Sequence, residues 1–344
     1  MKTLAVRPGD ATPDSLAGCV LCHDVRGADG AIVAEKGARL DAAAAAIILR
    51  ATRDELHVLA LDPGDLHEEE AGRRLAAAVA GSAVDVRPYG GGQWPLVARE
   101  RGLLRVDADA LAAVNTHAGI SVFTLFDGQP VERGETVAKA KVTPLVIGED
   151  TIRSVESGAA RGVIAVKRFR AAAIGAAARG NLDARQRARF ETALQQKIDW
   201  FGARLLPLRF AESSPRAVAG ELAALAAAGA EILVVAGASA LDPLDPVFGA
   251  LELLGARMER HGAPAHPGSL LWLARWRGRL VLGMPTCGMF SQATTFDLVL
   301  PRILAGETIG NAEIAALGHG GLLSRDMAWR FPAYKAGAAR GELE

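Results

Sequence analysis

From residue 162 onward, short apolar runs alternate with segments of helical periodicity, and this alternation limits the fold more than any other feature of the chain. GVIAVK and AAAIGAA read as strands, and ARQRARFETALQQKIDWFGA then sets Phe190, Ala193, Leu194, Ile198 and Phe201 at helical spacing before Gly202. A second helix is predicted over about 216–228, carrying Val218, Leu222 and Leu225 and stopping at Gly229. The strand EILVVAG, the helix PVFGALELLG and the strand RLVLGM follow, and a last large helix is predicted in FSQATTFDLVLPRIL, with Pro301 near its end. Such alternation predicts helices on both faces of a mostly parallel sheet, a three-layer α/β/α domain over 161–310 with a tail over 311–344. Ligands of such sheets bind where strands end and helices begin.

Residues 1–160 have a different texture. VLCHDV, GAIVAEKG, ELHVLAL, SVFTLFDGQPV and GETVAKAKVTPLVI are strand-like runs separated by turns, which predicts a β-rich region. One helix is expected over 66–80, with acids at its start and Arg73 and Arg74 further on, as the helix dipole prefers. DTIRSVESGAA shows no strong periodicity and marks the expected boundary.

Composition excludes several functions. Lys and Arg total 39, as do Asp and Glu, so no overall field draws the chain to nucleic acid or an anionic membrane. The first residues, MKTLAVRPGDATPDSL, lack an export signal's apolar core, and the Ala-rich stretch 217–236 carries Glu221 and Glu231; a soluble cytoplasmic protein is expected. Cys19-Val-Leu-Cys22-His23 has the spacing of a c-type haem attachment site. Haem attachment requires export, however, and the flanking residues suit a short strand, so structural cysteines are expected. A zinc site would find at most a third ligand in Cys287.

Three stretches carry candidate chemistry. In VVAGASALDPLDP, Asp245-Pro246 is a good helix start, and a second Asp-Pro at Asp242 is not needed for that purpose. Gly237, Ala238 and Ser239 follow the strand, where small residues let backbone amides approach an anion. In MPTCGMF, the residues Pro285, Thr286, Cys287 and Gly288 are expected at a helix N-terminus, with Thr286 as cap or anion ligand. Cys287 has no His or Asp partner nearby in sequence to make it a nucleophile. HGAPAHPGSLLW offers His261, His266, Pro267, Gly268 and Ser269; the two histidines read as solvent-facing loop residues, with metal ligation the alternative.

AGASALDPLDP, HPGSLL and GMPTCG, followed by a helix ending LPRIL, together resemble the molybdopterin-binding domain of molybdenum cofactor biosynthesis proteins in order and spacing. GCVLCHDV, KGARL, LALDPGDLHEEEAGRRLA and GQPVERGETVAKAKVTP look like the accompanying domains of the molybdopterin molybdotransferases, and GHGGLLSRD fits a divergent MoeA-like branch. In that family the three loops surround the pterin phosphate. The resemblance implies pterin contacts from Gly237, Ala238, Ser239, Pro267, Gly268, Ser269, Pro285, Thr286, Cys287 and Gly288, with Asp242 and Asp245 as catalytic carboxylates holding Mg²⁺. It further implies a homodimer through the N-terminal half, molybdopterin or its nucleotide form as partner, and a molybdoenzyme client.

Three departures qualify the activity. Ala238 replaces the second Gly of the family's first loop, Ser269 stands where Lys or Asn is common, and Pro285-Thr286-Cys287-Gly288 replaces Pro-Gly-Asn-Pro. An Ala238 methyl would push a phosphate away if positive φ were needed there, and losing Lys removes a charge for phosphate. Molybdate insertion by a transferase, a non-catalytic carrier or chaperone, and a scaffold with a degenerate cleft all stay open.

Overall fold

The run Ile232–Ala236 is a strand with all five residues buried. Its residues alternate between two cores: Ile232, Val234 and Ala236 join one cluster, whereas Leu233 and Val235 join the other. A period of two with both faces apolar means that layers cover both sides of the sheet. The structure is a computed structural model that describes residues 1–88, 90, 92–180, 183–285 and 293–334.

The strand lies within a seven-stranded sheet. It pairs in parallel with Ala173–Arg179 on one side and with Arg279–Met284 on the other. Beyond Ala173–Arg179 lie the short parallel strands Arg204–Leu205 and Arg209–Ala211. Beyond Arg279–Met284, Trp272–Trp276 and then Arg257–His261 add on in antiparallel fashion. The parallel part was legible as alternation; the antiparallel pair, hidden in a stretch read as loop, was not.

Helices Ala184–Trp200 and Thr295–Leu304 supply Phe190, Leu194, Ile198, Phe296, Val299 and Leu300 to the first core. Pro215–Ala227 and Pro246–Leu253 supply Val218, Leu222, Leu225, Val247 and Leu251 to the second. Each such side chain contributes about 1.5–3 kcal/mol on burial. The expected three layers are present. The segment expected as a tail belongs to them too, because Ile314, Leu317 and Tyr334 lie in the first core.

The chain divides into two compact units whose sequences interleave. The first holds Met1–Arg99, Val106–Leu125 and Gly134–Ala165; the second holds Glu100–Arg105, Phe126–Arg133 and everything from Val166. The single boundary expected near 160 is therefore replaced by five crossings. Leu103, from one short excursion, is fully buried in the core of the second unit.

The first unit contains a three-stranded sheet, a four-stranded sheet and strand pairs, as its β-rich texture predicts. Where one helix was expected, five are present among the described residues: Pro13–Leu16, Ala42–Ala51, Glu68–Val79, Ala108–Asn115 and Glu149–Gly158. The boundary segment is thus a helix, and it buries only Ile152 and Val155, too few to show a period. Arg74 on Glu68–Val79 fixes it. Its Nε and Nη2 donate to Glu156 at 2.8 and 2.7 Å, and its Nη1 to Glu149 at 2.9 Å. The guanidinium holds both carboxyls below the usual range, and they in turn raise the arginine.

Candidate functional site

Strand register places two loops and the start of a third on one edge of the seven-stranded sheet. Ala178 pairs with Ala236, and Ala236 with Met284, so the chain after each parallel strand leaves from the same side. Gly283 pairs with Trp272, and Trp272 with His261. The turn 262–271 between the antiparallel strands therefore emerges there as well. The loops 237–245 and 262–271 share this edge with Pro285, which follows Arg279–Met284 and opens the third motif-bearing stretch.

At the first loop the backbone must turn at once. Gly237 has φ +83°, and a Cβ there would stand 2.1 Å from the carbonyl oxygen of Arg179. Positive φ belongs to Gly237 and not to Ala238, whose methyl packs against the second core. The strain feared for the Ala238 methyl does not arise. Ser239 is exposed.

Asp245 is 2% exposed and its carboxylate is fully engaged in holding the loop. Oδ2 accepts the Ser239 amide at 2.8 Å and the Arg179 guanidinium, and Oδ1 accepts the Val247 amide at 2.9 Å as the helix cap. Asp242 is exposed, and its Oδ1 accepts the Leu244 amide at 2.9 Å. These roles leave the expected Mg²⁺ pair without support. A hard cation seeks several free anionic oxygens, whereas Asp245 is already neutralised by an arginine and Asp242 is tied into its own turn. No cluster of three or more metal-ligating side chains occurs among the described residues.

Arg179, which sequence reading missed, ends the strand Ala173–Arg179. From that strand the chain runs outward to Arg209–Ala211 and then returns on the other side to Ile232–Ala236. This is the switch point of the sheet, where diverging connections open a crevice. The signal available was an arginine directly after the apolar AAAIGAAA run.

The second loop packs against the start of helix Thr295–Leu304. The Thr295 amide donates to Pro267 O at 3.0 Å, and its hydroxyl donates to Ala265 O at 3.1 Å and Pro267 O at 3.2 Å. Gly268 has φ +110°, and a Cβ there would meet Thr295 Oγ1 at 2.7 Å. Pro267 is half-buried and Ser269 exposed beside this contact. His261 Nε2 lies 2.6 Å from Ala240 O, joining the first loop to the strand that leads into the second.

Pro285 is buried, whereas Thr286, Cys287 and Gly288 lie outside the described residues. The helix that follows starts at Thr295, with Thr294 as cap. The expectation that Thr286 caps this helix is corrected: Asp297 accepts the Thr294 amide at 2.9 Å and the Thr294 hydroxyl at 3.0 Å. Asp297 is itself buried against Lys197, with Nζ 2.7 Å from Oδ1.

The Cys-x-x-Cys-His stretch packs into the first unit, where Cys19 belongs to an apolar core. Cys19 is buried, Cys22 partly so, and burial pushes both thiols up. His23 Nε2 accepts the His57 amide at 3.3 Å, and its Nδ1 lies 3.1 Å from Asp24 O. A cavity of about 450 Å³ in the first unit is lined by Arg73, Arg74, Glu156 and small residues, and Arg74 there is committed to Glu149 and Glu156. No helix among the described residues is long and apolar enough to cross a membrane.

No protein-family model and no curated protein matches the sequence at a significant level. Among solved structures, the chain is similar to a molybdopterin biosynthesis MoeA protein from Pyrococcus horikosii, with 14% identity, coverage of 70% of this chain and 79% of that one, and a TM-score of 0.32. It is similar to the CinA protein of unknown function from Thermoplasma acidophilum at 9% identity, over 34% of this chain and 90% of that one, with a TM-score of 0.28. Molybdenum cofactor biosynthesis protein B matches at 9% identity, over 39% of this chain and 87% of that one, also with a TM-score of 0.28. Identities and superpositions this low leave the loops' own residues to carry any functional reading.

Proposed function

We propose that this protein binds molybdopterin, or its nucleotide form, at the sheet edge formed by loops 237–245, 262–271 and 285–294, and serves molybdenum cofactor biosynthesis. The single observation that supports the reading is that the first two motif-bearing loops and Pro285, where the third begins, leave the sheet on one edge, set by the register Ala178, Ala236, Met284. Gly237, Ala238 and Ser239 would form one wall, Pro267, Gly268 and Ser269 the second, and Pro285 with Thr286, Cys287 and Gly288 the third. Exposed Ser239 and Ser269 are hydroxyl donors suited to an anionic pterin phosphate.

Between transferase and carrier, the occupancy of Asp245 favours the carrier. A carboxylate bonded to Arg179, Ser239 and Val247 is a scaffold element, not a free base or metal ligand. In this reading the bound cofactor passes to a molybdoenzyme client, and the chain acts as a homodimer, which light scattering measures directly. Equilibrium titration of the purified protein with molybdopterin and with its adenylated form, each with and without Mg²⁺ and molybdate, tests the function. Tight binding without AMP release is the expected result. AMP release would instead assign the transferase, and failure to bind either pterin would overturn the reading.

A further inference from the structure

The Arg179 side chain spans the switch point. Its Nη2 donates to Gly237 O at 3.1 Å and to Asp245 on one diverging connection, and its Nη1 reaches Ser213 Oγ at 3.5 Å on the other. Ser213 follows Arg209–Ala211 and Gly237 follows Ile232–Ala236, so the guanidinium lies across the mouth of the crevice. Its Nε is buried and has no hydrogen-bond partner among the described residues. Arginine carries five donors in a fixed planar fork. Here two strong bonds and one long one are made, and both strong bonds come from a single nitrogen.

A buried donor without an acceptor is costly, and a cation at a strand-end crevice is the group that receives phosphate oxygens. Among the described residues the anion on this guanidinium is Asp245, which also takes the Ser239 amide, a donor of the proposed binding loop. An internal carboxylate thus holds the two groups, guanidinium and loop amide, that an external oxyanion would use. The missing lysine of the second loop, where Ser269 stands, then has a replacement from another part of the fold.

We propose that Arg179 supplies the positive charge for the ligand's phosphate and that Asp245 is its resident counter-ion, which the phosphate displaces on binding. The inference rests on the binding edge proposed above and assigns its specificity for a phosphorylated ligand to a residue outside the three motifs. Displacement frees the Ser239 amide together with the guanidinium, so one exchange opens both donors to the ligand.

Calorimetric titration with inorganic phosphate and pyrophosphate at low salt tests this, with thermal melting of each variant to establish folding. R179Q is expected to weaken phosphate binding by about tenfold or more, and R179K, which keeps the charge without the fork, to fall between R179Q and the wild type. D245N is expected to tighten binding, because Asn still caps the helix but no longer neutralises the arginine. Opposite signs for R179Q and D245N are the signature. Loss of affinity in both, equal affinity in R179Q and wild type, or no binding by either wild type or D245N would overturn the inference. Should R179Q fail to fold, R179K with unchanged affinity overturns it equally. The two readings fail separately: R179Q that binds molybdopterin like the wild type removes only the role of Arg179. The expected phosphate pattern without pterin binding removes only the pterin.

Discussion

Lys197 and Asp297, a hundred residues apart in sequence, form an ion pair in the core, with Nζ 2.7 and 3.0 Å from the two carboxylate oxygens. Their side chains are 4% and 1% exposed. Tyr334 donates its hydroxyl to the same Asp297 at 3.0 Å, and Lys197 lies over its ring. The pair fixes the start of helix Thr295–Leu304, against which Pro267 and Gly268 pack. K197M leaves a carboxylate buried without its cation, and a loss of about 3–5 kcal/mol is expected from urea denaturation. The double variant K197M/D297N should recover part of that loss, since the stranded charge is gone.

Gly237→Ala is expected to destabilise the protein by more than the roughly 1–2 kcal/mol of a left-handed alanine, because the added Cβ also meets Arg179 O at 2.1 Å. Ala238→Gly relieves no strain and should lower stability by less than about 1 kcal/mol through added freedom of the unfolded chain. Thermal melts of the two variants side by side separate these cases.

These pairs mark what could be read from the chain and what could not. ILVVA declares a buried strand by its apolar run, and helix Ala184–Trp200 declares itself by Phe190, Leu194 and Ile198. Gly237 is legible because small residues after a strand have a local meaning, whereas Gly268 stands out only through the loop motif HPGSLL. Lys197, Asp297 and Arg179 have no local meaning. Their roles arise only when the sheet order brings distant segments together, and a charged residue on a helix reads by default as solvated. The helix Glu149–Gly158 failed for a different reason, since its anchoring comes from Arg74, which pattern reading does not register.

Acid should expose the Arg74 clamp. Glu149 and Glu156 titrate below their ordinary range beside Arg74, so the native state binds fewer protons than the unfolded chain in that range. Their contribution is present above the ordinary carboxylate value of about 4.3 and is lost as pH falls through the depressed native values. Comparing melting temperatures from pH 7 to pH 3, R74M should lie below the wild type at neutral pH, and the gap should close on acidification. A gap independent of pH would assign Arg74 to packing alone.

Burial of Cys19 and Cys22 raises both thiols, so both should react slowly with iodoacetamide at neutral pH and quickly once denatured. Site-resolved mass spectrometry follows each directly. Cys22, the less buried, should label first.

The five crossings between the two units carry a consequence for inheritance. A gene fragment beginning at Val166 would encode every strand of the seven-stranded sheet yet omit Leu103, leaving a hole in its core. Fusion or truncation at one point therefore cannot pass this α/β layer intact to another protein. A piece that carries the whole layer must span the excursions 100–105 and 126–133 as well.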